Sequence, residues 1–194
     1  MAGLLDDARR LDTAVYAAVA ETESPALDAG MRALSRAADR SKLWLGAAGA
    51  IALLGGAGGR RAALHGLASL GLASAFTNLA AKPLTVRRRP DREALSIFED
   101  RHVPMPRSTS FPSGHAASAF AFATGVTAVS PALSAPLRAA ATAVGYSRVH
   151  TGVHYPGDVL AGAFIGITAA ELATRLLGRR APRRRGGRRG RPRS

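Results

Sequence analysis

The chain has 194 residues, 27 of them basic and 13 acidic, a formal charge of +14 and no cysteine. The missing cysteine excludes disulfides, thiolate catalysis and cysteine-based zinc sites, and the length suits one compact domain. The positive charge admits nucleic acid, an anionic membrane surface or a phosphorylated substrate, but a soluble DNA binder seldom needs the long, weakly charged apolar stretches that fill the middle of this chain.

Residues 4–19 repeat apolar side chains at helical spacing (Leu4, Ala8, Leu11, Val15, Val19), and residues 25–38 do the same with Leu27, Met31, Leu34 and Ala38. Both are expected to be amphipathic helices, lying at a bilayer interface or packed against the rest of the molecule. Seven of the 13 acids fall within these first 40 residues. No basic segment, short apolar core and cleavage site form a secretory signal there, so targeting is expected to rest on later apolar spans.

Five candidate spans follow, at residues 43–58, 62–81, 114–130, 132–147 and 158–177. The first lacks charge but is short against the roughly 20 residues that a bilayer core requires. His65 and Asn78 interrupt the second, and the fourth contains Arg138. Ala and Gly add little hydrophobicity, yet with Ser they suit close helix packing in lipid. The expected fold is all-α, a multispanning membrane helical bundle of about five spans behind N-terminal amphipathic helices over residues 1–40. The membrane-embedded domain covers 41–178 and an Arg-rich tail covers 179–194. Nine arginines between Arg179 and Arg193, with no apolar side chain large enough to bury, predict a disordered tail. Its charge assigns it to the cytoplasmic side, which puts two polar loops, 82–113 and 148–157, outside.

Three constellations sit in those loops. Lys82 ends a span and is followed by Arg87, Arg88, Arg89 and Pro90. A lysine offers a mobile point charge and an arginine a planar fork, and both suit phosphate oxygens or an ordinary helix-anchoring loop. Pro112-Ser113-Gly114-His115 opens the third span. Ser113 and the N–H groups of Ser113 and Gly114 can donate to a phosphate oxygen at this helix start, and His115 can donate a proton to a leaving group. Ser147-Arg148 precedes His154 and Asp158. Asp158, four residues after His154, can hold one ring nitrogen so that the other points at phosphorus, with Arg148 balancing charge. His150, with no evident carboxylate partner, is taken as a bystander.

The three sets together resemble the type 2 phosphatidic acid phosphatase (PAP2) superfamily. Its signature is a lysine, six residues and Arg-Pro; then Pro-Ser-Gly-His; then Ser-Arg, five residues, His, three residues and Asp. Lys82 to Arg89-Pro90, Pro112 to His115, and Ser147-Arg148 to His154 to Asp158 fill every position at the expected spacing. The resemblance covers about residues 40–178 and implies a helical membrane phosphatase without a metal or other cofactor. It further implies that Lys82, Arg89, Ser113, Gly114 and Arg148 bind phosphate, His154 attacks phosphorus, Asp158 orients it and His115 protonates the leaving oxygen. The phosphorylated lipid and the membrane are the implied partners. Two departures stand out. The first of the family's usual six spans is missing or replaced by the amphipathic region. The short core behind N-terminal helices also looks like small actinobacterial members acting on polyprenyl-linked substrates, decaprenylphosphoryl ribose 5-phosphate among them.

Undecaprenyl diphosphate, phosphatidylglycerophosphate and phosphatidic acid are alternative substrates, since all share the phosphate pocket. The vanadium haloperoxidases of the same superfamily are larger and soluble, which the apolar spans oppose. A membrane interaction protein that keeps the motif without turnover is a different class, and predicts that alanine at His154 is silent in cells. A nucleic-acid module has the Arg-rich tail as its sole support.

Overall fold

The computed structural model describes residues 2–22, 24–93 and 99–179. The expected disordered tail, from residue 180 onward, lies outside the described residues. Those that are described form an all-α bundle of α1 (Ala2–Ala20), α2 (Pro25–Ala37), α3 (Lys42–Leu54), α4 (Gly56–Phe76), α5 (Gly114–Thr127), α6 (Ser134–His150) and α7 (Pro156–Arg179). A π-helical turn, Thr77–Ala81, extends α4 to Lys82.

The two N-terminal helices pack against the bundle. α1 buries Tyr16 and Ala20 with Val149, and Tyr16 meets Tyr155 with ring centroids 5.4 Å apart. α2 starts with Pro25 behind an extended Ser24, a residue order that suits a first helical turn, and buries Asp28 and Ser35 against α6. The corner between α2 and α3 carries two consecutive non-glycine residues in the left-handed region, Arg40 (φ 53°) and Ser41 (φ 61°). Such positions cost on the order of 1 kcal/mol or more and persist where surrounding contacts over-determine them.

The span expected at 43–58 is cut at Gly55, where α3 ends and α4 doubles back. A Cβ on Gly59 would stand 2.1 Å from the Ile51 carbonyl oxygen, so the two helices touch backbone to backbone there. α4 consequently begins six residues before the expected span at 62. With 13, 14 and 17 residues, α3, α5 and α6 run about 20, 21 and 26 Å at 1.5 Å per residue, less than a hydrocarbon core of about 30 Å. Among the described residues one helix, Pro156–Gly178 within α7, is long and apolar enough to cross a bilayer. Abundant Ala and Gly explain the difference from the five expected spans: they favour tight packing while contributing little hydropathy.

The core is correspondingly small-residue-rich. Ala62, Ala63, Ala119, Ala123 and Ala141 surround Trp44 and Phe122, whose ring centroids lie 5.3 Å apart. On α7, Gly162 and Gly166 face α5: a Cβ at these positions would lie 2.4 Å from the Ser113 carbonyl oxygen and 2.3 Å from that of Ala117. This spacing of small residues lets the two backbones approach and sets the start of α7 beside the start of α5.

The bundle has two distinct ends. At one, the α3–α4 turn (Leu54, Gly55, Gly58, Gly59) and the α5–α6 turn (Val129, Ser130, Leu133) line a common cavity of about 470 Å³. The segment after Lys82, the start of α5 and the α6–α7 connection meet at the other.

Candidate active site

The α6–α7 connection is built by its own backbone. α6 ends at His150, Gly152 takes a left-handed φ of 67°, and the Val153 and His154 N–H groups both donate to the Arg148 carbonyl at 3.1 Å. His154 is thereby folded back over the end of α6 and buried, while Pro156 opens α7 two residues later. Asp158, in the first turn of α7, reaches back toward it: its Oδ2 lies 3.5 Å from His154 Nδ1, a charge contact looser than a good hydrogen bond. His154 Nε2 faces the Arg89 guanidinium, with Nη1 at 3.4 Å. Burial pushes the His154 imidazole down to about 4; Arg89 and Arg148 act the same way, against an opposing pull from Asp158.

The Asp158 carboxylate is completely buried yet well supplied with donors. Arg87 donates to Oδ1 at 2.8 Å, the Tyr155 N–H donates to Oδ2 at 2.9 Å, and the Ser110 hydroxyl also donates to Oδ2. Three donors, one of them charged, favour the ionised carboxylate at a depth where an unpaired charge would be costly. Arg87 also pairs with Asp12 of α1 and lies over the Tyr155 ring, 4.4 Å from its centroid. Asp12 in turn accepts from the Gly157 N–H at 2.6 Å, so α1 holds the start of α7.

Arg89 is fixed mostly by backbone. It donates to the carbonyls of Ser108 (3.0 Å), Val153 (2.7 Å) and Thr109 (3.2 Å). Lys82 Nζ donates to Ser108 Oγ at 3.2 Å, and that oxygen also accepts from Arg89 at 3.3 Å. The two cations are thus held side by side with no carboxylate between them. Lys82 sits at the start of α5, where a Cβ on Gly114 would be 3.7 Å from its Nζ. Burial and then the charges of Arg89 and Arg148 lower the Lys82 pKa. Mutual repulsion among cations is tolerated where a bound anion can relieve it.

The remaining groups depend on the N-terminal helices. Arg148 is buried and donates to Ser35 Oγ of α2 at 2.5 Å. Asp39, after α2, places Oδ1 2.9 Å from His115 Nε2 and 3.8 Å from Arg148 Nη1. All eight residues singled out in the sequence therefore gather at one end of the bundle: Lys82, Arg89, Ser113, Gly114, His115, Arg148, His154 and Asp158. One expected detail is corrected. The Ser113 N–H is occupied, donating to the Asp158 carbonyl at 2.9 Å, and Ser113 Oγ caps α5 by accepting from Ala116 at 3.4 Å. Gly114 is the first residue of α5, where a helix leaves N–H groups without an intrahelical partner.

Arg87, Ser108, Ser110, Asp12, Ser35 and Asp39 escaped sequence reasoning in this role. Arg87 stood in the basic run but was not distinguished from its neighbours, and Ser108 and Ser110 had no motif. Asp39 had one signal: the acids of this basic protein concentrate in its first 40 residues, so the carboxylates that tie down the cations come from there. His150 is corrected as well. It has a carboxylate partner, Asp28, at 2.7 Å, and Asp28 pairs with Arg101 at 2.8 Å. Arg101 also donates to the carbonyls of Val19, Ala20 and Thr22, closing the end of α1. This buried set ties α1, α2 and α6 together.

The family profile described as the PAP2 superfamily matches residues 62–182. The decaprenylphosphoryl-5-phosphoribose phosphatase of Mycolicibacterium smegmatis is 36% identical over 171 residues, 81% of this chain and 84% of that protein. The Mycobacterium tuberculosis protein of the same name is 35% identical over 100 residues, 51% of this chain, and the match spans about half of that relative, 52% of its length. Among solved structures, a transmembrane PAP2-type phosphatidylglycerolphosphate phosphatase from Bacillus subtilis superposes with a TM-score of 0.69 at 24% identity, over 92% of this chain and 90% of that one. Aquifex aeolicus LpxE superposes with a TM-score of 0.67 at 25% identity, over 85% and 95%. With its signature residues gathered at one end of a shared all-α fold and the family profile matched over most of its length, this chain belongs to the PAP2 superfamily.

Proposed function

We propose that the protein is a membrane-embedded lipid phosphatase that hydrolyses a phosphomonoester or diphosphate, on a polyprenyl-linked lipid of envelope biosynthesis, through a phosphohistidine. The observation that carries this reading is the buried His154, held between Asp158 at Nδ1 and Arg89 at Nε2. The depressed pKa keeps the imidazole neutral at pH 7, with its Nε2 lone pair turned toward the Arg89 guanidinium beside which the phosphate would lie. Nε2 attacks, the P–O bond to the leaving group breaks, and the positive charge gained by the ring is balanced by Asp158. Lys82, Arg89, Arg148 and the Gly114 N–H gather the equatorial oxygens, replacing water with fixed charges. His115, whose Nε2–H is held by Asp39, takes up a second proton at Nδ1 as the phosphorylated substrate binds, gives it to the leaving oxygen and then takes one from the water that cleaves the phosphohistidine.

The preference for a polyprenyl-linked lipid follows from the mycobacterial relatives. The multi-pass arrangement, with the catalytic end extracytoplasmic and the tail cytoplasmic, follows from the apolar α7, the family's membrane setting and the charge of the tail. The test is phosphate release by detergent-purified protein in EDTA, with His154→Ala alongside. Its substrates are a phosphorylated polyprenyl ribose, a polyprenyl diphosphate, phosphatidylglycerophosphate and phosphatidic acid. Release that survives EDTA and vanishes in the variant is expected, with the polyprenyl ribose phosphate preferred. Equal release by wild type and variant would sink the phosphohistidine.

A further inference from the structure

The carboxylate beside His154 is tied through one arginine to the N-terminal helix. Arg87 donates from Nη1 to Asp158 Oδ1 at 2.8 Å and from Nη2 to Asp12 Oδ2 at 2.5 Å, so a single guanidinium joins two carboxylates. The other Asp12 oxygen, Oδ1, accepts from the Gly157 N–H at 2.6 Å, one residue before Asp158. We propose that Asp12 is a positioning residue of the reaction, which sets through Arg87 how much of the Asp158 charge is left for His154. The proposal rests on the phosphatase reading and adds α1 to its machinery.

Burial makes the sharing of Arg87 consequential. Asp158 is wholly buried and the Asp12 side chain is 10% exposed, so water and salt screen neither carboxylate as they would a surface group. An arginine that faced Asp158 alone would neutralise it, and the ring cation formed at His154 would lose its counter-charge. Two carboxylates around one guanidinium leave one negative charge over, which is what an imidazolium requires. The other charged or titratable groups that face the ring do not supply it. They are Arg89 from the segment after Lys82, Arg148 from α6 and His115 from α5. Asp39 faces His115 and Arg148 instead. The Tyr155 phenol lies among Arg87, Asp158 and Asp12 and carries its proton at neutral pH.

Asp12 acts at a distance from the substrate. Among the described residues it bonds to Arg87 and Gly157 and to none of the phosphate-binding side chains. With those two partners it lines a groove of about 650 Å³ between α1 and α7, separate from the cavity of about 170 Å³ that Lys82, Gly114 and His115 share. Its influence therefore passes through charge and through the orientation of the first turn of α7.

The test is the titration of the His154 ring, followed by NMR of histidine-labelled, detergent-purified full-length protein and assigned with His154→Ala. Wild type, Asp12→Asn, Arg87→Gln and the double variant form a cycle. Arg87→Gln removes the positive charge and should raise the midpoint above the wild-type value of about 4 by roughly one pH unit. Asp12→Asn should move it down, and the double variant should return it close to wild type. In kinetics, Asp12→Asn should lower kcat roughly tenfold at unchanged KM, and adding Arg87→Gln should restore most of that loss. A purely structural role would move both single variants in the same direction and make the double variant worse than either. That pattern overturns the proposal, as does a KM that rises while kcat falls. Arg87→Gln keeps Asp12 in place, so its midpoint reads the link even where Asp12→Asn fails to fold. Wild-type turnover of the lipid panel separates the two readings. Shifts of the expected signs without phosphate release would sink the phosphatase and keep the link; release without the shifts would do the reverse.

Discussion

His154 and His115 are both held by carboxylates, but they have opposite tasks in the proposed reaction, and the difference is testable at the level of single residues. His154→Ala should lower phosphate release by at least about 10³-fold, because no other group can form the covalent intermediate. His115→Ala should cost about 10²- to 10⁴-fold with an alkyl phosphate, the usual contribution of a positioned acid, and far less with p-nitrophenyl phosphate, whose leaving group needs no proton. Asp39→Asn should show the same leaving-group dependence in weaker form, since Asp39 acts through the His115 ring. A loss that was equal for both leaving groups would deny His115 its acid role. The pH dependence follows from the lowered pKa of His154. Neutral His154 persists as pH falls until about 4, so its limb of the kcat/KM profile should lie near 4 rather than near 6.5. The same shift acts on stability. The unfolded chain takes up this proton first, so stability present above about 6.5 is lost progressively as pH falls toward the folded value. Acid unfolding followed by circular dichroism, with His154→Gln as the non-titrating control, measures that part of the slope.

At the scale of elements, the site depends on how closely α5 and α7 approach. Gly166 stands against the Ala117 carbonyl, where a Cβ would be 2.3 Å away. Gly166→Val should therefore force the helices apart and destabilise the protein by about 1–3 kcal/mol. It should also lower kcat, because Ser113 and Gly114 at the head of α5 lose their register with Asp158. Thermal unfolding in detergent read beside kcat checks both parts; unchanged stability would show that the contact is not tight. The same scale shows where sequence periodicity fell short. A charge-free run from 43 to 58 has no signal strong enough to place a break, because glycines 55, 56, 58 and 59 are compatible with either a continuous span or a tight reversal. The reversal is selected by backbone contact with Ile51, which is a tertiary interaction.

At the scale of the molecule, both loops that carry the signature emerge at one end of the bundle, and the turns near Gly55 and Pro131 share the other. The proposed topology puts the first end outside the membrane and the second inside. A chain without cysteine suits the test, since each engineered thiol is the only one present. Met105→Cys should react with a membrane-impermeant maleimide in intact cells, whereas Ala132→Cys should react only after permeabilisation. The reverse pattern would invert the topology, and labelling of both in intact cells would contradict a membrane-spanning arrangement. The N-terminal helices are part of this whole. They were open to an interfacial position from their amphipathic pattern alone, and instead pack on α6 and α7 and supply Asp12, Ser35 and Asp39 to the site.

The helical class, the family and the eight motif residues were legible in the sequence, because each constellation is local: a cation at a span end, a helix start, and a histidine four residues before an aspartate. The tertiary structure alone decided which cations turn toward His154 and which are tied to carboxylates. Arg87, Arg88 and Arg89 are chemically alike in the sequence, yet Arg87 is spent on Asp12 and Asp158 while Arg89 is turned by backbone carbonyls toward His154. It also decided that Asp39 meets His115 across 76 residues and that Asp28 meets His150 across 122. Such pairings arise when distant helices bury charges together, and no local period or spacing encodes them.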